Sequence, residues 1–249
     1  MVHIRTSEEI EKIRESCRIV YETLELLGRE IKPGITTLRL DHLAEEFIKS
    51  QGGHPAFKGY NGFPRNICTS IDEQVVHGIP SNRVLKEGEI ISVDVGVKKN
   101  GYYGDAAMTF AVGTVAADRL QLMRVTQASL DKGIAQALPG NHLSDIGYAI
   151  QTYVESYGYG VVRELVGHGV GCELHEPPEV PNYGEPGRGP VLKTGMCLAI
   201  EPMITMGSYK VRLLNDGWTV ITEDRSPAAH YEHTIVIGVD GPQILSQKA

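Results

Sequence analysis

The stretch KEGEIISVD at residues 86–94 has a counterpart in KTGMCLAIE at residues 193–201. Each begins with a lysine and a glycine, continues as a short apolar run, and ends on an acid, Asp94 in the first and Glu201 in the second. Apolar runs of this length, bounded by glycine, are typical of buried strands. An ionised carboxylate there is costly to desolvate unless a positive group meets it. Two such strands aimed at one place indicate a metal centre where two related halves meet.

The repeat extends into the preceding helices. Lys32-Pro33-Gly34 is followed by apolar residues spaced three and four apart, and the same pattern follows Leu138-Pro139-Gly140, 106 residues later. Pro-Gly predicts a turn, and this spacing predicts an amphipathic helix. We therefore expect a single catalytic domain spanning residues 1–249, with pseudo-repeats at about 7–113 and 117–240.

Each half also carries a second acid, Asp105 in the first and Glu232 in the second, and both are predicted to open strand-like segments. The wider pattern predicts helices at residues 7–29, 40–51, 117–137 and 143–157, and strands at 67–70, 90–97, 106–112, 161–166, 196–206, 218–222 and 233–238. A capping signal at Thr6 precedes the first helix. Residues 52–65 and the Pro/Gly-rich residues 176–189 read as ordered loops.

Composition narrows the class of protein. The net charge of -7 and the pI of about 5.7 give no basic field for nucleic acid or anionic lipid. We find no signal peptide at the N-terminus and no run of ~18 apolar residues, so a soluble cytoplasmic protein is expected. The four cysteines form no CxxC pair and read as reduced thiols. Cys68 and Cys172 lie near the candidate site residues, where pocket lining and plain packing both remain open.

Three of the nine histidines stand in suggestive contexts. His168 lies between two glycines, which let a backbone approach a ligand and leave the imidazole free. His77 and His175 are the other two candidates. His233 follows Glu232 and should point to the opposite face of its strand. The remaining histidines read as surface residues: His3, His42, His54, His142 and His230.

Five of these residues resemble the functional residues of a known family. In order and spacing, they resemble the metal ligands of the methionine aminopeptidases and their relatives of the pita-bread fold: Asp94, Asp105, His168, Glu201 and Glu232. The strings VHGIP, GHGVG, HEPP, IEP and YEHT, at residues 76–80, 167–171, 175–178, 200–202 and 231–234, agree as well. The resemblance covers about residues 5–240 and is closest to the compact type I form. It implies an α+β fold of two pseudo-symmetric halves, with a curved antiparallel sheet covered by helices.

The resemblance assigns roles to these residues. Asp94 is expected to chelate one metal, Asp105 and Glu232 to bridge both metals, and His168 and Glu201 to complete the coordination of the other metal. Four carboxylates and an imidazole suit Mn(II), Fe(II) or Co(II), with Zn(II) or Ni(II) as further options. Two ions roughly 3.5–4 Å apart can activate a shared water as hydroxide. A monovalent cation nearby stays open.

The same resemblance names catalytic groups and a substrate pocket. Glu201 is expected to carry a proton to the leaving amine, His175 to stabilise the oxyanion, and His77 to contact the scissile amide. Substrate-binding positions are Phe57, Tyr60, Phe63, Cys68, His77, Leu174, His175 and Trp218, whose aromatic faces and sulfur suit a methionine side chain. Many relatives carry cysteine and phenylalanine in place of Phe57 and Leu174. Core packing is the alternative for these two positions and for Trp218.

The sequence therefore predicts a cytoplasmic metalloaminopeptidase that removes the initiator methionine before a small second residue. Nascent polypeptide N-termini are the expected substrate, with transient ribosome association left open, no nucleic-acid recognition, no membrane and a monomeric chain. Two alternatives remain. A prolidase or aminopeptidase P shares fold and ligands but usually carries a large additional N-terminal domain, and a non-catalytic binding module on this fold typically loses ligands.

Overall fold

Four α-helices cover the sheets in the computed structural model, which describes residues 2–248. The first helix begins after Thr6, whose hydroxyl accepts a hydrogen bond from the Glu9 amide while the Glu9 carboxylate accepts one from the Thr6 amide. This reciprocal cap satisfies two amides that the helix itself leaves free. The helices are α1 (Ser7–Glu30), α2 (Thr37–Ser50), α3 (Ala117–Ile134) and α4 (Leu143–Glu155), with one 3-10 turn at Tyr60–Gly62.

Fifteen strands are found within the same residues, most of them short. In chain order they are β1 (His54–Pro55), β2 (Cys68–Ile71), β3 (Gln74–Val76), β4 (Ile90–Lys99), β5 (Tyr102–Ala111), β6 (Gly160–Val161), β7 (Gly167–Gly169), β8 (Glu176–Val180), β9 (Cys197–Ile200), β10 (Met203–Thr205), β11 (Val211–Leu213), β12 (Val220–Thr222), β13 (Ala228–His230), β14 (His233–Gly238) and β15 (Gly241–Ile244). All named pairs are antiparallel.

Two sheets form the halves. In the first half β4 pairs with β1, β2 and β5, and in the second the order is β15-β14-β9-β7-β8. Smaller sheets, β13-β10-β6 and β11-β12-β3, lie beside them. The predicted α+β class with two related halves is confirmed.

Equivalent positions of the two halves adopt equivalent structures. Isolated bridges join Thr36 to Val84 in the first half and His142 to Val191 in the second. Gly34 and Gly140, which end the two repeated Pro-Gly turns, both have positive φ angles, of 96° and 93°. Only glycine adopts this backbone conformation without strain. The repeat in the sequence therefore corresponds to a repeat in the backbone.

Each half has its own apolar core. Helix α1 packs on β4 and β5, and α2 packs on α1 and β1, with Ile19, Leu24 and Val95 fully buried in this core. Helices α3 and α4 pack on each other and on the second half, with Leu122 and Ile150 fully buried. Burial of these helix faces on the outer side of the sheets leaves the inner side free for polar residues. None of the helices within residues 2–248 is long and apolar enough to cross a membrane.

The strand predictions were wrong in several places. Residues 161–166 form a strand only at their start, in β6, because the neighbouring β10 is short. Residues 196–206 divide into β9 and β10, since Pro202 lacks an amide to continue the ladder. Residues 176–180, predicted as loop, form β8 at the edge of the five-stranded sheet, where prolines are tolerated. Asp105 lies within β5 and does not open it.

Candidate metal centre and active site

Strands β4 and β5 position the first two acids. Asp94 lies opposite Cys68 of β2 and Ala107 of β5, and Asp105 lies opposite Gly96. Alternate residues of a strand share a face, and diagonal cross-strand neighbours are within reach of each other. Asp94 and Asp105 therefore project from the same face of the first half, together with Cys68.

The second half brings its polar side chains to the ends of short strands. His168 in β7 lies opposite Ala199 of β9, and Glu201 follows β9 directly. Because His233 pairs with Ile200, Glu232 comes next to Glu201 at the adjoining strand ends.

Hydrogen bonds between the two halves are formed at Asp105 and Glu232 or next to them. The amide of Glu232 donates to the Ala107 carbonyl at 2.9 Å, and the Ala107 amide donates back at 3.4 Å. The Thr234 hydroxyl donates to the Asp105 carbonyl at 2.8 Å and accepts from the Asp105 amide at 3.2 Å. The sequence predictions missed Thr234, for which the only signal is its place two residues after Glu232.

A cavity of ≈ 200 Å³ opens at this junction. Every residue that the sequence predicted for the site lines it, and Asn61 is the one addition: Phe57, Tyr60, Asn61, Phe63, Cys68, His77, Asp94, Asp105, His168, Leu174, His175, Glu201, Trp218 and Glu232. Acids and imidazoles occupy one part of the wall and aromatic and aliphatic side chains the other. Such a division suits a ligand with a reactive polar end and an apolar side chain.

The carboxylates are crowded in a dry environment. Burial raises the pKa of Asp94 to about 7 and that of Glu201 to about 8. Burial, and then the negative charges of the neighbouring acids, raise the pKa of Asp105 and of Glu232 well above the ordinary value. A site that raises the pKa of four carboxyl groups together lacks positive charge. Divalent cations would supply it.

Buried carboxylate oxygens without hydrogen-bond partners, and the tautomer of His168, support the fit to divalent cations. Within residues 2–248, Oδ1 of Asp94, Oδ1 of Asp105 and Oε1 of Glu232 are buried without a hydrogen-bond partner. His168 Nδ1 lies 2.9 Å from the Gly169 carbonyl, so Nδ1 carries the proton and Nε2 keeps its lone pair. Ligand atoms of Asp105, His168 and Glu232 lie within 4.8 Å of one another. The donor set fits divalent metal ions.

Two further imidazoles line the cavity in the neutral state. Burial lowers the pKa of His77 to about 4 and also lowers that of His175. The Tyr60 hydroxyl lies 2.7 Å from Nδ1 of His175. If Tyr60 donates, Nε2 of His175 carries the ring proton and can donate it to a ligand. His77 adopts a positive φ of 59°, which is uncommon for a residue with a side chain and is found where structure around a site enforces it.

The apolar wall is a compact cluster. Phe57, Phe63, Cys68 and Leu174 are buried together, with Tyr60 and Trp218 packed against them. The rings of Phe63 and Trp218 meet edge to face at 5.1 Å. Trp218 follows a turn in which the Asp216 carboxylate accepts from the Trp218 and Thr219 amides, each at 2.9 Å. Core packing was the alternative for Phe57 and Leu174. Both side chains are buried, and both line the cavity.

Two sequence interpretations are corrected here. His230, predicted to be a surface residue, is 1% exposed, and its Nε2 lies 3.4 Å from Oε2 of Glu201. The error arose because β13 is a buried strand paired with β10, which its sequence alone does not reveal. Cys172 is exposed and lies beside Arg5, away from the cavity lining, whereas Cys68 does line it. His233 bonds through Nδ1 to the Ser246 hydroxyl at 2.9 Å.

Comparison with known proteins agrees with this geometry. The model of metallopeptidase family M24 matches residues 11–238. The chain is 57% identical over 247 residues to a methionine aminopeptidase of Clostridium acetobutylicum, covering 99% of both chains, and 54% identical to methionine aminopeptidase 1 of Bacillus subtilis, covering 99% and 100%.

Solved structures give the same result. A methionine aminopeptidase from Thermotoga maritima superimposes with a TM-score of 0.98 at 46% identity, covering 100% of each chain. A prolidase from Pyrococcus furiosus superimposes with a TM-score of 0.79 at 25% identity, over 99% of this chain but 66% of the prolidase. The chain therefore belongs to metallopeptidase family M24 and, within it, to the methionine aminopeptidases.

Proposed function

We propose that this metal-dependent aminopeptidase removes the N-terminal methionine from newly made polypeptides whose second residue is small. The observation that carries the proposal is the convergence of five side chains on one cavity, three of them with buried oxygens left without partners: Asp94, Asp105, His168, Glu201 and Glu232. Their total charge of four carboxylates and one imidazole is balanced by two divalent ions. Mn(II), Fe(II) and Co(II) suit this donor set best, Zn(II) and Ni(II) remain options, and a monovalent cation nearby is compatible with it.

The residues around the ions divide the chemistry. When bound, divalent ions polarise a carbonyl and lower the pKa of a water close by. Glu201 accepts the proton of the attacking water and delivers it to the amine of the departing peptide. His175, held through Nδ1 by Tyr60, donates from Nε2 to the carbonyl oxygen as negative charge develops there. His77, on the same wall, contacts the scissile amide nitrogen.

The apolar wall selects the side chain. Phe57, Phe63 and Leu174, together with Cys68, form a buried slot next to the metal ligands. A methionine side chain is unbranched and gains from contact between its sulfur and aromatic rings. Branched side chains lack this fit because buried walls do not yield without strain.

The substrate class implies where the enzyme acts. Newly made chains that still carry methionine are found in the cytoplasm, and we place the enzyme there as a monomer, with transient ribosome association compatible with this role. No basic field for nucleic acid is expected from a net charge of -7.

The test uses the purified full-length protein with Met-Ala-Ser and with an Xaa-Pro peptide. In the presence of Mn(II) or Co(II), we expect cleavage of Met-Ala-Ser alone, loss of that activity with chelator, and recovery when metal is returned. Cleavage of the Xaa-Pro peptide, or activity that survives chelation, would contradict the proposal.

Variants of the ligands sharpen this test. Asp94→Asn and Glu232→Gln should each lower kcat/KM by roughly a thousandfold, because several kcal/mol of metal-dependent stabilisation is lost. Asp118→Asn, an exposed acid in the first turn of α3, is the matched control and should leave activity unchanged.

A further inference from the structure

The Glu201 carboxylate lies between two imidazoles, one facing each of its oxygens. Oε1 is 3.7 Å from Nε2 of His168, and Oε2 is 3.4 Å from Nε2 of His230. His168 lines the cavity, whereas His230 lies behind Glu201 and outside the cavity lining. Glu201 therefore has one side toward the proposed metal centre and one side toward a histidine that neither the family match nor the sequence motifs assign a role.

His230 is held in place by residues from both halves. Its amide donates to the Thr109 hydroxyl of β5 at 3.0 Å, and its carbonyl accepts from the same hydroxyl at 2.8 Å. In the second half it pairs with Met203 of β10. The side chain is 2% exposed, so the ring is shielded from solvent.

The ring nitrogen that faces Glu201 has no other partner. Within residues 2–248, Nε2 of His230 is a buried polar atom without a hydrogen bond of good geometry. Leaving such an atom unsatisfied costs about 1–3 kcal/mol, so a retained one calls for a partner. Within the described residues, the carboxylate oxygen at ion-pair distance from it is Oε2 of Glu201, at 3.4 Å. A small rotation of either side chain brings 3.4 Å into the range of a normal hydrogen bond.

The direction of the bond follows from the chemistry of the two groups. When divalent ions keep Glu201 ionised, its carboxylate offers only lone pairs, and an imidazole lone pair in front of it would be repelled. The ring nitrogen must therefore carry the proton. A carboxylate that ligates a metal is commonly oriented by a hydrogen bond of this kind from outside the ligand shell.

We propose that His230 is a positioning residue, which donates from Nε2 to Oε2 of Glu201 and so fixes the orientation in which Oε1 faces His168 and the cavity. The inference rests on the proposed function, since it takes Glu201 as a metal ligand and proton carrier. His230 itself touches neither substrate nor metal in this role.

The test compares His230→Met, which removes the donor at similar volume, with His230→Gln, whose amide nitrogen reaches a similar position. Metal affinity of the chelator-treated full-length protein is measured by calorimetric titration with Co(II) and by the visible spectrum of the Co(II) complex. Turnover of Met-Ala-Ser is measured separately. We expect His230→Met to weaken Co(II) binding or lower kcat by about 10–100-fold with little change in KM, and His230→Gln to retain most of both.

Wild-type Co(II) affinity and kcat in His230→Met would overturn the inference. So would a His230→Gln variant as impaired as His230→Met, because the role would then require the imidazole itself. If His230→Met does not fold, His230→Asn replaces it, since its shorter amide falls short of Glu201. His42→Leu, at an exposed histidine of α2, is the control.

A wild-type protein that fails to cleave Met-Ala-Ser would count against the proposed function. The comparison of Co(II) affinities would still decide the role of His230.

Discussion

A buried ion pair beside the catalytic His175 should control both stability and turnover. The guanidinium of Arg5 and the carboxylate of Glu176 are in contact, with side chains 6% and 7% exposed. The other Glu176 oxygen accepts from the Glu173 amide at 3.0 Å, and the Arg5 amide donates to the Gly195 carbonyl at 2.8 Å. Arg5 thereby fixes residues 173–176, the segment that carries Leu174 and His175 into the cavity.

Arg5→Met would leave the Glu176 carboxylate buried with a single backbone donor. Removing one partner of a buried pair costs about 3–5 kcal/mol. Because the Glu173 amide remains bonded, we expect the lower end, about 3 kcal/mol of the free energy of unfolding. We also expect kcat to fall, since His175 loses its fixed position.

Urea unfolding monitored by circular dichroism gives the free energy, and Met-Ala-Ser cleavage gives kcat. Arg14→Met, on α1, is the matched control, because the pair of Arg14 with Glu11 is exposed and should contribute at most about 0.5 kcal/mol. The double variant Arg5→Met/Glu176→Gln should cost less than the sum of the single variants. A loss below about 1 kcal/mol in Arg5→Met would refute the reasoning, since that is the range of exposed pairs.

Three further outcomes follow from local geometry. Gly104→Ala should destabilise the protein by about 1–3 kcal/mol in urea unfolding, because the new Cβ would lie 2.6 Å from the Cys17 amide nitrogen of α1; an unchanged midpoint would contradict this. Cys172 is the one exposed thiol of the four, so Ellman's reagent should show a single fast-reacting thiol, absent in Cys172→Ser; a fast phase that persists would disprove the assignment. Leu174→Ala should cost about 2–5 kcal/mol of stability and widen the slot. It should therefore raise kcat/KM for Leu-Ala-Ser relative to Met-Ala-Ser by about tenfold, and a constant ratio would remove Leu174 from the pocket wall.

The sequence was most informative where function depends on local strings. The predicted ligands Asp94, Asp105, His168, Glu201 and Glu232 all reach one cavity, because each lies within a strand or directly beside one. The helices were predicted to within a few residues at each end, since their apolar spacing and the cap at Thr6 are local signals.

Strand boundaries were harder to predict from the sequence, because a strand ends where its partner strand ends. Residues 161–166 were predicted as a strand, but of these only Val161 pairs with β10. Glu176–Val180 contains two prolines and still forms a strand, because it lies at a sheet edge where absent amides cost nothing.

The sequence by itself determined the duplicated halves and, through its resemblance to one family, the fold class and the chemical identity of the site, since periodicity and short motifs are written in neighbouring residues. Only the tertiary structure decided which groups surround that site. His230 behind Glu201, Thr234 between the halves, and Arg5 against Glu176 are contacts between segments distant in the chain. Such contacts arise when buried polar groups from both halves must satisfy one another in the absence of water.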